Sequence, residues 1–344
     1  MRVIDRRSTL AGACLLAGSA CAGSDATRSP EPNEPSVGLT PEAEGDDELV
    51  SDRVAERAVV PVSEAGGYVF RMGELELVVE PTLGGRITHF SLGGQNILTG
   101  PEVVAGGEGS LPNMYGSTFW TSPQSGWGWP PEAAIDTAAH TARVDGAVLA
   151  LASEAGAMTG YAVRKRFSAD PARGVIDIEY TLENQRATVA AAPWEVSRVP
   201  KAGFVVFPAT GPALPGSSLP AAFSDGLAWV DLSSAPSADS KLFQDGSEGW
   251  LAYVLGSVAL IKTFDDLAPA DTAPGEAEVE VFTNGKYAYA EIEQQGRYAL
   301  PPAGGTSSWR VSWLLERIPA GIDPGLGSAA LVEWIRSHAA RVRR

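Results

Sequence analysis

The chain has 344 residues but only two cysteines and three histidines. Both cysteines, Cys14 and Cys21, stand within the first 21 positions. The rest of the chain therefore forms no disulfide, and its stability must come from a core. His89, His140 and His338 are widely spaced. With so few ligands available, no metal is expected. Phosphate-binding Gly-Lys-Ser/Thr loops, Gly-x-Ser-x-Gly elbows and His-Glu-x-x-His pairs are all missing, so no cofactor is expected either. Basic charge is scarce: 26 Lys and Arg stand against 42 Asp and Glu, a formal net charge of −16. Phosphate backbones need a basic stripe, so nucleic acid is excluded as a partner. The longest apolar stretch near the start, Leu10 to Ala20, is about half of the roughly 20 residues that a spanning helix needs.

That stretch has another use. Arg2, Arg6 and Arg7 precede it, and Gly18-Ser19-Ala20 leads into Cys21. A positive region, an apolar region and small residues at a cleavage point make a secretory signal peptide. Cys21 at that point resembles a bacterial lipobox, with Gly18 where such boxes usually carry Leu. The resemblance implies lipidation of Cys21, a membrane partner through that lipid, and an extracytoplasmic location on the periplasmic side or cell surface. The alternative is a plain signal peptide cut near Ala20 or Ala22, with release of the protein. Residues 22–60 hold ten acidic residues against three arginines, with four prolines and little that is apolar before Leu49. Such a segment buries too little to offset its ordering entropy. The expected organisation is a signal peptide at 1–20, an acidic Pro-rich tether at 21–60 and one domain at 61–344.

The domain reads as strands. Ile176, Ile178, Tyr180 and Leu182 alternate with Asp177, Glu179, Thr181 and Glu183, the pattern of a half-buried strand. Residues 75–79, 161–167 and 278–282 repeat it less strictly. Residues 203–207, 250–255 and 258–264 are short apolar runs that suit buried strands. Asn284-Gly285 suits a tight hairpin turn. One helix is expected at the C-terminus, where Ser328 is placed to cap and Leu331, Ile335 and Val342 recur at helical spacing. His338 falls on that apolar face and reads as a packed residue. The sum is an all-β fold, a large antiparallel β-sandwich with a short C-terminal helix.

Three segments carry chemistry. In Gly84-Gly85-Arg86, paired glycines permit close backbone approach and Arg86 offers a forked donor; a turn with a surface arginine is the plainer reading. Tyr115 to Pro131 packs Trp120, Trp127 and Trp129 into ten residues, with Gln124 and Ser125 between them. It reads as neither strand nor helix. Flat aromatic faces beside amides and hydroxyls suit a sugar ring; equally, the tryptophans would plug one end of the sandwich. In Ala192 to Pro200, alternation puts Trp194, Val196 and Arg198 on one side and Glu195, Ser197 and Val199 on the other. That suits a site rim, or an ordinary ion pair.

Gly84 to Ile87, Ser117 to Pro131, Ala192 to Pro200, and Tyr289 to Glu293 followed by Trp309 to Leu315 together resemble an uncharacterised bacterial domain family. That family is related to the galactose mutarotase-like β-sandwiches. The resemblance covers roughly residues 66–318. It implies a supersandwich with a carbohydrate site on a concave face. Mutarotases use a Glu and a His as base and acid. Glu291 and Glu293 fall at a place comparable to that Glu, and their i, i+2 spacing puts both on one face of a strand, where repulsion raises a pKa. The stretch comparable to the His runs from Tyr180 to Glu195 and contains none; His140 does not match the motif. Glu195 completes the set of catalytic candidates with Glu291 and Glu293. Arg86, Trp120, Gln124, Trp127, Trp129, Trp194 and Arg198 are the carbohydrate-binding candidates. The functional expectation is a membrane-tethered carbohydrate-binding module. The alternatives are a carbohydrate-active enzyme, either epimerase-like or glycoside-cleaving, and a protein-binding envelope scaffold.

Overall fold

The computed structural model describes residues 58–105 and 113–342. The signal segment, Cys21 and nearly all of the acidic tether lie outside the described residues. The alternating segments assemble into two ten-stranded sheets. The first runs, edge to edge, Val62–Glu64, Gly67–Met72, Leu75–Glu80, Arg86–Leu92, Ser117–Ser122, Ala192–Pro200, Tyr289–Gln295, Val279–Thr283 and Ser240–Gln244, with Gln95–Asn96 paired to the Arg86 strand. The second runs Ala222–Ser224, Leu227–Asp231, Phe204–Pro208, Trp250–Leu255, Val258–Phe264, Thr306–Arg317, Val175–Asn184, Tyr161–Asp170, Val148–Ala152 and Thr141–Asp145. Neighbouring strands are antiparallel, as with Val175–Asn184 between Tyr161–Asp170 and Thr306–Arg317.

The main core lies between the sheets. Phe119, Val199, Ile292, Val281 and Leu242 of the first sheet join Ile178, Tyr180, Leu260 and Trp313 of the second. Each fully buried aliphatic or aromatic side chain contributes about 1.5–3 kcal/mol. Because side chains alternate along a strand, the other face of the first sheet carries the neighbours of those residues. There Met114, Trp120, Trp127, Trp194, Val196 and Tyr289 form a second, smaller cluster.

The helix Ala329–Val342 covers the outer face of the second sheet. Leu331, Ile335 and Val342 are buried, and the Leu331 amide donates to Ser328 Oγ at 3.3 Å. His338 is half-buried, its ring 4.4 Å from that of Trp334. Two local expectations change. Asn284-Gly285 does not make a two-residue turn. Residues 284–288 connect the paired strands, and Asn284 Oδ1 accepts the amides of Lys286 and Tyr287. This side-chain-closed turn takes the place of a positive-φ one. The tryptophan segment is not wholly irregular either: Ser117–Ser122 is a strand buried along its whole length. Pairing with Ala192–Pro200 satisfies its backbone, which polar and aromatic composition alone did not foretell.

Candidate functional site

Gly84 and Gly85 have φ of 67° and 60°. A Cβ on Gly84 would stand 2.0 Å from the Asp136 carbonyl oxygen, so only glycine fits this close approach. The turn delivers Arg86 inward, and its side chain is 1 % exposed. Its guanidinium donates to the carbonyls of Asn113, Tyr115 at 2.8 Å and Asp136, and to Asp136 Oδ1 at 3.2 Å. Arg86 is therefore a clamp on the start of the tryptophan segment, and its forked donor is spent on backbone carbonyls and the Asp136 carboxylate. Burial holds its pKa below the ordinary value, with Asp136 opposing.

Asp136, from the short helix Ala133–Asp136, carried no signal in the sequence. Its Oδ1 also accepts Thr118 Oγ1 at 2.7 Å and Trp120 Nε1 at 2.9 Å. Trp120 is thereby fixed in place. Trp127 and Trp194 meet it edge-on at 5.7 and 5.5 Å. Trp127 Nε1 donates to the Thr121 carbonyl at 2.6 Å. Trp120, Trp127 and Trp194 are buried; Trp129 meets Trp120 edge-on at 6.2 Å and has 51 % of its surface exposed.

Beside this cluster is a cavity of about 330 Å³ on the outer face of the first sheet. Trp120, Trp129, Trp194, Lys241, Glu291 and Glu293 line it, with the Lys241 ammonium 5.0 Å from the Trp194 ring centre. Gln124, Asp239, Asn284 and Tyr289 also reach it. Register explains the convergence. Arg198 lies across from Glu291, Val196 from Glu293, and Trp194 from Trp120. Cross-strand partners share a face. Arg198 Nη2 sits 2.8 Å from Glu291 Oε1, and its guanidinium lies 5.3 Å from the Trp120 ring centre. Glu293 Oε2 accepts Trp194 Nε1 at 2.9 Å and Lys241 Nζ at 3.3 Å. Glu280, on the neighbouring strand, holds the same lysine at 2.5 Å.

The electrostatics follow from this crowding. Burial raises the Glu291 pKa; Arg198 opposes the rise and Glu293 adds to it. Burial pushes Glu280 up to about 8, with Lys241 opposing and Glu293 and Glu276 adding. Lys241 is pulled down by burial, but Glu293 and Glu280 outweigh it and hold the ammonium above its ordinary value. The i, i+2 carboxylates do share a face, as their spacing implied. Among the described residues no group of three or more His, Cys, Asp and Glu is arranged to hold a metal ion.

The sequence candidates separate into three places. Trp120, Gln124, Trp129, Trp194, Glu291 and Glu293 line the cavity. Arg86, Trp127 and Arg198 stand behind it as supports. Glu195 points the other way, between the sheets. Its oxygens receive Lys262 Nζ at 2.8 Å, Trp313 Nε1 at 3.1 Å, Tyr180 OH at 2.6 Å and the Gln294 amide. The expectation that Glu195 shares a site with the tryptophans therefore fails on geometry: period-two alternation sends it into the core. His140 is also remote, packed against Gly85; burial and then Lys165 lower its pKa to about 3. Lys241, Asp239, Asn284 and Tyr289 were missed as site residues: Asn284 drew notice only as a turn residue and Tyr289 only as the start of a motif, and nothing local marks Asp239 or Lys241.

A larger cleft of about 540 Å³ lies on the outer face of the second sheet. Its arginines are already paired: Arg173 with Asp177 at 2.8 Å and Arg310 with Glu179 at 3.2 Å. Phe264 is its one aromatic residue. We place the candidate site on the first sheet.

Many solved structures resemble this architecture. The Slr1438 protein from Synechocystis sp. PCC 6803 is 13 % identical, with 78 % of this chain and 99 % of that one covered and a TM-score of 0.53. A galactose mutarotase-like protein from Clostridium acetobutylicum is 11 % identical, with 76 % and 99 % covered and a TM-score of 0.50. The fold is thus that of the galactose mutarotase-like β-sandwiches. No protein-family model matches the chain, and no curated protein does.

Proposed function

We propose that the protein is a carbohydrate-binding module whose ligand lies in the cavity on the first sheet. The observation that carries this reading is Trp129. Its indole is half-exposed at the mouth of a cavity walled by Trp120 and Trp194 and faced by Glu291, Glu293, Asn284 and Gln124. A sugar ring offers an apolar face for the indole and rim hydroxyls for the carboxylates and amides. The likeness to a protein described as galactose mutarotase-like supports the same ligand class. Trp129→Ala should abolish glycan binding on an array while moving the melting temperature little, because the side chain is not core. Unchanged binding would overturn the reading.

A second reading, a carbohydrate-active enzyme, is favoured by Glu291. It lines the cavity, and burial holds it partly towards the protonated form, the state a general acid needs. Under that reading Glu291→Gln removes turnover and leaves affinity largely intact. A wild-type chain that binds sugars but neither interconverts nor cleaves them leaves the module alone standing.

The residues before the domain supply its address. We propose attachment to a bacterial membrane through lipid on Cys21, with the domain held outside the cytoplasm. Cys21→Ser should shift the protein to the soluble fraction or block its processing, since each buried lipid CH₂ contributes roughly 0.8 kcal/mol. A variant that stays membrane-bound and normally processed would refute the anchor.

A further inference from the structure

The cavity wall holds three carboxylates, Asp239, Glu291 and Glu293, and one ammonium, Lys241. Its cations are paired with carboxylates. Lys241 is shared between Glu293 at 3.3 Å and Glu280 at 2.5 Å, so one positive charge serves two negative ones. Arg198, beneath the wall and not part of the lining, is paired with Glu291 at 2.8 Å, and its Nε and Nη1 have no hydrogen-bond partner. The acceptors are not all committed. Glu293 Oε2 takes both Trp194 Nε1 and Lys241, whereas Glu293 Oε1 has no hydrogen-bond partner, although the side chain is only 1 % exposed. A buried carboxylate oxygen without a donor is costly, and the donor it lacks belongs on whatever fills the cavity. Asp239 spends one oxygen on the Gly285 amide at 2.6 Å. Around these acceptors stand three indoles and the Tyr289 ring, whose faces attract a cation as well as a sugar ring.

We propose that the ligand is an amine-bearing saccharide, an unacetylated amino sugar whose ammonium donates to Glu293 Oε1 on the Asp239 side of the cavity while its ring lies against Trp129. This inference rests on the carbohydrate reading and narrows it. A neutral hydroxyl would also satisfy Glu293, but it would not make the charge-assisted bond that an ammonium makes to a carboxylate. Charge-assisted hydrogen bonds are roughly twice as strong as neutral ones. A uronic acid would add a fourth carboxylate to the wall. Burial is the main cause of the raised pKa of Glu291 and of Glu280; Glu293 adds to both, and a bound cation relieves that added repulsion.

The test is titration calorimetry on the folded domain at a pH where the sugar amine is protonated. Three probes are used: a β-1,4-linked glucosamine tetramer, its fully N-acetylated counterpart and the neutral glucose tetramer. The glucosamine tetramer should bind at least about tenfold more tightly than either of the others. Added salt should reduce that margin, since part of it is Coulombic. Glu293→Gln keeps the size of the side chain and an acceptor for Trp194; it should cut amine affinity about tenfold and neutral-sugar affinity by less than about threefold. Asp239→Asn, at the exposed rim, provides the same contrast if the buried change impairs folding, which melting curves on both variants report. Equal affinity for the three tetramers, or tighter binding of either of the two neutral ones, overturns the amine inference and leaves the carbohydrate reading intact. Binding of none of them by a folded domain overturns both.

Discussion

Replacing Glu195 with leucine removes the acceptor at the centre of the inter-sheet network. Lys262 is then left with Ser197 Oγ and the face of Trp313, whose centre lies 4.3 Å from Nζ. Tyr180 OH, Trp313 Nε1 and the Gln294 amide lose their acceptor as well. Breaking a buried pair by removing one partner costs about 3–5 kcal/mol. Three orphaned donors place Glu195→Leu at about 5 kcal/mol or above, since each stranded polar group adds roughly 1–3 kcal/mol. Lys262→Met is milder. The Glu195 carboxylate keeps its three other donors, so the loss lies near the lower bound, about 3 kcal/mol. Combining Glu195→Gln with Lys262→Met removes both charges and keeps an acceptor for Tyr180 and Trp313. That double variant should recover at least half of the summed loss. Urea unfolding of the four proteins, followed by tryptophan fluorescence, reads these differences as shifts in midpoint. A Lys262→Met loss as large as that of Glu195→Leu would refute the reasoning. So would a double variant whose cost equals the summed costs of Glu195→Leu and Lys262→Met.

His140 titrates at about 3 in the folded chain against an ordinary 6.5. Below pH 6.5 the unfolded chain binds a proton that the folded one rejects, so stability should fall as pH drops from about 6.5 towards 3. His140→Leu should flatten that part of a stability–pH curve. Glu280 has the opposite sign: its folded value of about 8 lies above the ordinary 4.5. Stability should decline as pH rises between those values, and Glu280→Gln should remove that decline. Trp194→Ala, at a site 1 % exposed, should cost about 3–5 kcal/mol in urea unfolding, in contrast to the half-exposed Trp129. Gly84→Ala should destabilise or prevent folding, because its Cβ would collide with the Asp136 carbonyl 2.0 Å away; a variant with wild-type stability would show that the turn can rearrange.

The strand content, the sandwich and the terminal helix were legible in the sequence because burial imposes a period. Ile176, Ile178, Tyr180 and Leu182 are all buried, as their alternation with charged residues required. The same rule separated Trp194, Val196 and Arg198 from Glu195, Ser197 and Val199. Alternation is silent on which side faces the second sheet. Both sets are fully buried in the folded chain, so hydrophobicity did not distinguish them either. The answer came from what packs on each side: Lys262 reaches Glu195 across the core, and the indole cluster covers Trp194.

The charge of the first 20 residues, their apolar run and the position of Cys21 follow from order along the chain alone, and so does the all-β class. The cavity does not. Arg198 and Glu291 are 93 positions apart, and Trp120 and Trp194 are 74 apart, yet antiparallel register makes each pair neighbours. Asp136 orients Trp120 from a four-residue helix with no sequence mark of its own. Lys241 enters from the edge strand of the first sheet to share its charge between two glutamates. Periodicity is a local property that water reads off one strand at a time. Which strands lie side by side, and in what register, is decided only when the whole sheet closes its hydrogen bonds and core, and that is where the site is made.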